Sequence, residues 1–264
     1  MTGATRPRQL SSAPSPRSFL DRWLTRARDY QSRALFASLR RYCHGHVLDV
    51  GGWDFIETAK GRGVRFDTWT TIEPMAQRSS AIADARFRFV VGDGCRMPFR
   101  EGAYDTVLNV QVLEHVFEPI DMVLEIARVL KIGGHAVFLI PQSNALHMAP
   151  HHYYNFTRYW IREAASRAGL DIVSLTPIGG RWASTASHLI YFFLQAFRAP
   201  GRVPPEVRRS AAFYCLLPLM FVYALVSIPV CLVLSLGDLE EEASNHLVVA
   251  IRRERAVSAR REMD

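Results

Sequence analysis

Cysteine is scarce: the 264 residues hold four, Cys43, Cys95, Cys215 and Cys231, with no C-x-x-C pair among them. No His stands at metal-ligand spacing from them either, so neither a disulfide framework nor a zinc site is expected, and the thiols read as reduced in a cytosolic protein. The signature G-x-G-x-x-G is also absent, which removes the usual phosphate cradle of a dinucleotide enzyme. No internal repeat recurs along the chain, so a solenoid or array is not expected. Residues 1–17, MTGATRPRQLSSAPSPR, lack the apolar core of a secretory signal and are rich in Pro, Ser and Arg, the composition of a disordered lead-in.

What is present starts with charge. Thirty-two Lys and Arg against 25 Asp and Glu give a net charge of +7. Much of the excess sits at the ends, in Arg6, Arg8 and Arg17 and again in Arg252, Arg253, Arg255, Arg260 and Arg261. Basic ends suit an anionic neighbour such as a membrane, or are simply a solvated surface. No basic face interleaved with aromatics lies in the central region, so nucleic acid is not expected as a partner.

Residues 18–43 carry apolar positions at helical spacing and read as one or two amphipathic helices. From 44 to 178, strands and helices alternate: HVLDV, FDTWTTIE, ARFRFVVGD, YDTVLNV, GGHAVFLIP and LDIVSLTPIGG read as strands. PIDMVLEIARVLKIGG reads as a helix stopped by Gly133, and RYWIREAASRAG as another. Such alternation implies right-handed βαβ crossovers and a doubly wound α/β fold around a mostly parallel sheet. NHLVVAIRR, starting at Asn245, reads as a strand, and 244–252 as the last core strand. It is separated from the others by residues 179–243 and followed by a basic tail over 253–264.

In open parallel sheets, ligands bind beyond the carboxyl ends of the strands. Here those ends carry Asp49, Gly51 and Gly52, then Glu73, then Asp93 and Gly94, then Asn109, Val110 and Gln111. Several carboxylates at neighbouring strand ends suit phosphate poorly, because an anion wants backbone N–H groups without acids nearby. A cation bearing a ribose fits better, with Glu73 placed to accept from the ribose hydroxyls and Asp93 from an adenine amino group. Each acid taken alone is more simply a cap or turn residue.

The runs VLDVGG, TIEP, VVGDGCRMPF and YDTVLNVQVLEHVFEPIDMVLEIARVLKIGG, in that order, resemble the successive motifs of class I S-adenosylmethionine-dependent methyltransferases, in particular the small-molecule group with D-x-G, acid, D-x-x-x-L-P-F and V-L-E-H motifs. The resemblance implies a seven-stranded sheet with its last strand antiparallel, and S-adenosyl-L-methionine as cofactor. It implies Asp49, Gly51 and Gly52 around the methionine moiety, Glu73 on the ribose, Asp93 and Gly94 at the adenine, and Asn109, Val110 and Gln111 lining the sulfonium end. The turn departs from the family at Trp53 and Phe55, where glycines are usual: either the Trp53 ring edge covers the cofactor or the loop is remodelled.

Methyl transfer to a hydroxyl also needs a base, and QSNALHMAPHHYYNFTR after the fifth strand offers His147, His151 and His152. The expected catalytic residues are His151 and His152, with His115 packing at a helix start; no metal is expected. Residues 211–236 form an uncharged run of 26, long enough to cross a bilayer. Pro218 and Pro229 break that run into pieces, so two short helices are expected, lying in a membrane interface through 188–236 or capping the catalytic domain. A single crossing is the weakest option, because the last strand must return to the side of the sheet. The expected function is methyl transfer to a small or lipid-linked acceptor, at oxygen, in the cytoplasm or at the inner face of the membrane. The alternative is a non-catalytic membrane-associated scaffold.

Overall fold

The computed structural model describes residues 32–75, 82–197 and 207–254. The expected lead-in over 1–17, most of the segment 18–43 and all but the start of the basic tail lie outside the described residues. Apart from the first two residues of helix α1, the elements below belong to the compact unit that begins at Ala34.

Seven strands form one sheet in the order β3-β2-β1-β4-β5-β7-β6. They are β1 (His46–Val50), β2 (Thr68–Glu73), β3 (Phe87–Val91), β4 (Tyr104–Val110), β5 (Leu130–Pro141), β6 (Leu170–Ile178) and β7 (Asn245–Arg252). The pairings β1/β2, β1/β4, β2/β3 and β4/β5 are parallel, whereas β7 runs antiparallel to both β5 and β6. Central strands read as near-continuous apolar runs because helices cover both faces. On one face Val47, Trp69, Leu108, Val137 and Val249 pack with Leu35, Phe36 and Leu39 of helix α1 (32–42) and Ile56 of α2 (Phe55–Gly61). On the other, Leu48, Val50, Ala136 and Val248 pack with Ile126 of α3 (Pro119–Val129) and Ile161 of α4 (Arg158–Ala168). The doubly wound sheet expected from the sequence is therefore the one observed, and its order reverses between β1 and β4, the switch point where such folds bind ligands.

Two local expectations are corrected. Helix α3 does not run to Gly133; it ends at Val129, and Leu130 is already extended at φ −73°, ψ 137°. Leu130 pairs with Tyr104 across the sheet, so strand pairing takes over before the glycine is reached, and Gly133 (φ 80°) instead shapes the irregular start of β5. Second, 211–236 does not split at its prolines: α6 (Ala211–Leu234) is one helix with Pro218 and Pro229 inside. Each proline removes a single ladder bond, and the remaining turns of a 24-residue helix carry the axis through.

Helix α5 (Arg181–Ala196) precedes α6, and the two form a hairpin. At its root the Asp238 carboxylate accepts the N–H groups of Trp182 (2.8 Å) and Ala183 (2.9 Å). Farther out, Arg209 donates to the carbonyl of Gln195 (2.9 Å), and Phe221 stacks on Phe193 with centroids 5.3 Å apart. Helix α6 is little covered by the rest of the chain: only 11% of its most apolar window is buried, and Leu219, Val222, Leu225, Val226 and Val233 all stand open.

Asp238→Ala removes the acceptor at the start of α5. It is expected to weaken the hairpin root by about 1 kcal/mol, the usual worth of a helix cap. Native-state hydrogen exchange should quicken at Trp182 and Ala183 and leave β1 unchanged.

Candidate active site

Beyond the ends of β1 and β2 the chain builds a tight turn. Gly51 stands at φ 78°, and a Cβ there would lie 2.6 Å from Val112 Cγ2. A Cβ on Gly52 would lie 1.9 Å from Asp49 Oδ2. The missing side chains are what allow the Asp49 carboxylate to tuck against the turn. Trp53 follows at φ 50°, a conformation that a non-glycine residue holds at a cost of roughly 1–3 kcal/mol. Its N–H donates to Glu73 Oε1 at 2.8 Å, tying the turn to the end of β2. Phe55, the second departure from the family pattern, stacks on Phe36 (5.9 Å) and leans on Trp69 (6.3 Å), so it serves the packing of α2.

Asp49 is fully buried and neither of its oxygens accepts a hydrogen bond. Burial first, and then the charge of Glu73, push its carboxyl up to about 8; the Trp69 indole, which donates to Thr71 Oγ1 (3.3 Å), offsets only part of this. Burial also raises Glu73, against the pull of the Trp53 N–H. Two under-compensated carboxylates beneath an open glycine turn favour a ligand that brings positive charge and hydroxyl donors.

The other expected cofactor residues diverge. Asp93 is exposed and accepts the Cys95 N–H (2.8 Å), a turn closure next to Gly94, where a Cβ would meet Met122 Cε at 2.5 Å. Asn109 points into the core and donates to Met122 Sδ (3.3 Å). Val110 packs on the α1 side of the sheet. Gln111, at φ 57°, donates to Asn245 Oδ1 (2.6 Å) and accepts from Asn144 (3.0 Å). Asn109 and Val110 thus serve opposite faces, and Gln111 alone of the three reaches the loop over 142–157.

That loop is fastened over the strand ends. The Tyr153 N–H donates to the Glu114 carbonyl (2.8 Å), the Tyr154 hydroxyl to the Phe117 carbonyl (3.1 Å), and the Phe156 N–H to the Pro141 carbonyl (2.8 Å). His151 is exposed, with Nδ1 3.2 Å from the Tyr153 hydroxyl. His152 turns inward, where its Nδ1 accepts the His147 N–H (3.2 Å) and its ring stacks edgewise on His147. His115 ends a 3-10 turn over Leu113–His115, rather than starting an α-helix, and its ring meets both His147 and His152. Burial holds His115 and His152 below the ordinary imidazole range.

Sequence reasoning missed Glu114. It is fully buried beside this cluster, and burial pushes its carboxyl up to about 7. The available signal was an acid inside the apolar run V-L-E-H-V with no Lys or Arg nearby.

Comparison with known proteins points the same way as the turn. A family described as "Methyltransferase domain" matches residues 53–138. An uncharacterized methyltransferase of Mycobacterium sp. (strain JLS) is 34% identical over 93 residues, which is 34% of this chain and 36% of the relative. The match thus spans about a third of that relative's length. Among solved structures, the complex between the Haloferax volcanii Trm112 methyltransferase activator and a methyltransferase aligns with 90% of this chain and 97% of the other, at 16% identity and a TM-score of 0.55. Haemonchus contortus phosphoethanolamine N-methyltransferase 2, solved with S-adenosyl-L-methionine, aligns with 84% of this chain and 53% of the other, at 13% identity and a TM-score of 0.53.

Asp49 gives a pH test. Because its carboxyl rises from 3.8 to about 8 on folding, the native state binds the extra proton in that window. Stability of the ligand-free protein should therefore fall as pH rises from about 4 to about 8 and level off above. Asp49→Asn should flatten that slope in urea melts across the same range; an unchanged slope would assign the effect elsewhere.

Proposed function

We propose, from the premise that the chain carries a class I S-adenosylmethionine-dependent methyltransferase domain, that it moves a methyl group from S-adenosylmethionine to the oxygen of a small apolar or lipid-linked acceptor. The carrying observation is the buried, unpartnered Asp49 beside Glu73 under the Gly51–Gly52 turn. When bound, the cofactor supplies a methyl carbon activated by its sulfonium. Asp49, Gly51 and Gly52 surround the methionine moiety, Glu73 accepts from the ribose, Asp93 and Gly94 meet the adenine, and Gln111 borders the reacting end. What remains for the protein is alignment and exclusion of water, which the fastened loop over 142–157 provides. For an acceptor hydroxyl, His151 is the base, since its ring is exposed while that of His152 turns inward against His115 and His147. The scaffold alternative draws no support from the relatives.

The hairpin is what favours an apolar or lipid-linked acceptor. A 24-residue helix is about 36 Å long at 1.5 Å per residue, enough to cross a bilayer. However, β7 pairs in the same sheet as β5 and β6, so the chain returns to the side it left. Arg208 and Arg209 sit just before α6, at the end of the hairpin away from its root, and an upright hairpin would have to carry both charges across the hydrocarbon to reach the far headgroups. Lying in the interface lets those arginines meet headgroups while the exposed leucines and valines enter the acyl region. We infer the inner, cytoplasmic face for that placement, because basic residues flanking apolar segments favour the anionic cytoplasmic leaflet.

Two measurements check this reading. Calorimetry with S-adenosylmethionine should show saturable binding that Glu73→Ala and Asp93→Ala each weaken roughly 10–100-fold, as expected for lost hydrogen bonds to a charged group; wild-type binding by both variants would sink the assignment. In flotation with phosphatidylglycerol vesicles, the full chain should rise with lipid, and a variant with 205–236 replaced by a short linker should stay below. If both stay below, the hairpin covers something other than lipid.

A further inference from the structure

Glu114 is completely buried, and neither carboxylate oxygen accepts a hydrogen bond from a neighbouring residue. Such a group is costly unless something compensates it. Its Oε1 lies 3.8 Å from His115 Nε2 and 3.9 Å from His147 Nε2, and the three ligand atoms all fall within 4.8 Å of one another. These separations are too long for hydrogen bonds. They are longer than the edges of a ligand tetrahedron, roughly 3.3 Å for metal–ligand bonds of about 2.0–2.1 Å, so the three side chains must draw together by rotation when an ion enters.

The outer contacts select the ligating atoms. His115 directs Nδ1 at the His151 carbonyl (2.5 Å), and His147 directs Nδ1 at the Ala145 carbonyl (3.0 Å). A carbonyl can only accept, so each Nδ1 carries a proton, and in the neutral ring it is Nε2 that holds the lone pair. Both lone pairs therefore belong to the nitrogens nearest Glu114. Histidines held from behind by a backbone carbonyl are the usual arrangement around a protein-bound metal. His152 adds a further hold by accepting the backbone N–H of His147.

We propose that Glu114, His115 and His147 form a site for a divalent first-row transition ion of the zinc type, which locks the loop over 142–157 onto the end of β4. Two imidazoles and one carboxylate suit zinc or cobalt better than magnesium or calcium, which prefer all-oxygen shells. Three protein ligands leave a four-coordinate ion one further position, for water or an acceptor oxygen. Only the use of that position by an acceptor rests on the methyl-transfer reading; the site itself does not.

The test uses untagged full-length protein, stripped with chelator and free of S-adenosylmethionine. Competition titration with Zn2+ should find one ion per chain. Glu114→Gln and His147→Gln should each weaken binding by more than the roughly 10–100-fold typical of losing an outer contact. His152→Ala should fall within that range, and His44→Gln, remote from the cluster, should bind as wild type. X-ray absorption of the zinc-loaded wild type needs no variant to fold, and should give a nitrogen and oxygen shell with imidazole scattering. Failure to bind zinc, wild-type affinity in a folded Glu114→Gln or His147→Gln, or sulfur in the shell would overturn the site. Because no cofactor is present, that failure would leave the methyl-transfer reading untouched, and failed cofactor binding would leave the metal site standing.

Discussion

The constraint on which the molecule turns is the antiparallel entry of β7 between β5 and β6. The residues leading into that strand hold much of what surrounds the candidate site. The Ser244 carbonyl accepts the N–H groups of Gln142 (3.0 Å) and Ser143 (3.1 Å), and Asn245 accepts from Gln111. His246, fully buried, meets Gln142 Oε1 at 2.6 Å through Nε2, and burial carries it down to about 4, so it stays neutral at ordinary pH. Arg158, at the start of α4, donates to the Glu240 carbonyl (2.8 Å). One strand thus closes the sheet, pins the histidine loop and fixes where the α5–α6 hairpin must come back.

Two buried carboxylates then stand on either side of the region the loop covers. Asp49 is desolvated under the glycine turn with Glu73 close by, and Glu114 is desolvated under the imidazoles. A charge removed from water without a partner is among the least favourable arrangements a core can hold. That both occur at the ends of β1 and β4, where the strand order reverses, separates them from ordinary structural acids such as Asp105, which accepts from His46 N–H (2.8 Å) and Lys131 (2.6 Å). Glu125, likewise remote from that region, is paired with Arg128.

The layered core was legible because its signal is local: strands such as HVLDV are apolar on both faces, and acids or glycines mark where each one stops. The glycine turn and Glu73 were legible for the same reason. The end of α3 was not, because Gly133 looks like a helix stop only until Leu130 finds Tyr104 across the sheet. Nor was the continuity of α6, where prolines that would break an isolated helix are absorbed by its length. The meeting of Glu114 with His147 was also hidden: 33 positions separate them in sequence, and a docked loop with no repeating pattern joins them. Asn109 and Gln111, adjacent but for one residue, share no common role because β4 ends between them and the backbone swings to φ 57°.

The root of the hairpin is packed without slack. A Cβ on Gly180 would sit 2.5 Å from both the Asp238 side chain and the Leu239 carbonyl, so α5 departs from the sheet in near contact with the segment that returns from α6. A helical pair rooted this closely has little freedom to swivel against the domain. With the hairpin resting on lipid, the mouth above β1 and β4 would keep a set angle to the bilayer plane. For the proposed lipid-linked acceptor, turnover would then follow its mole fraction within the leaflet instead of its bulk concentration.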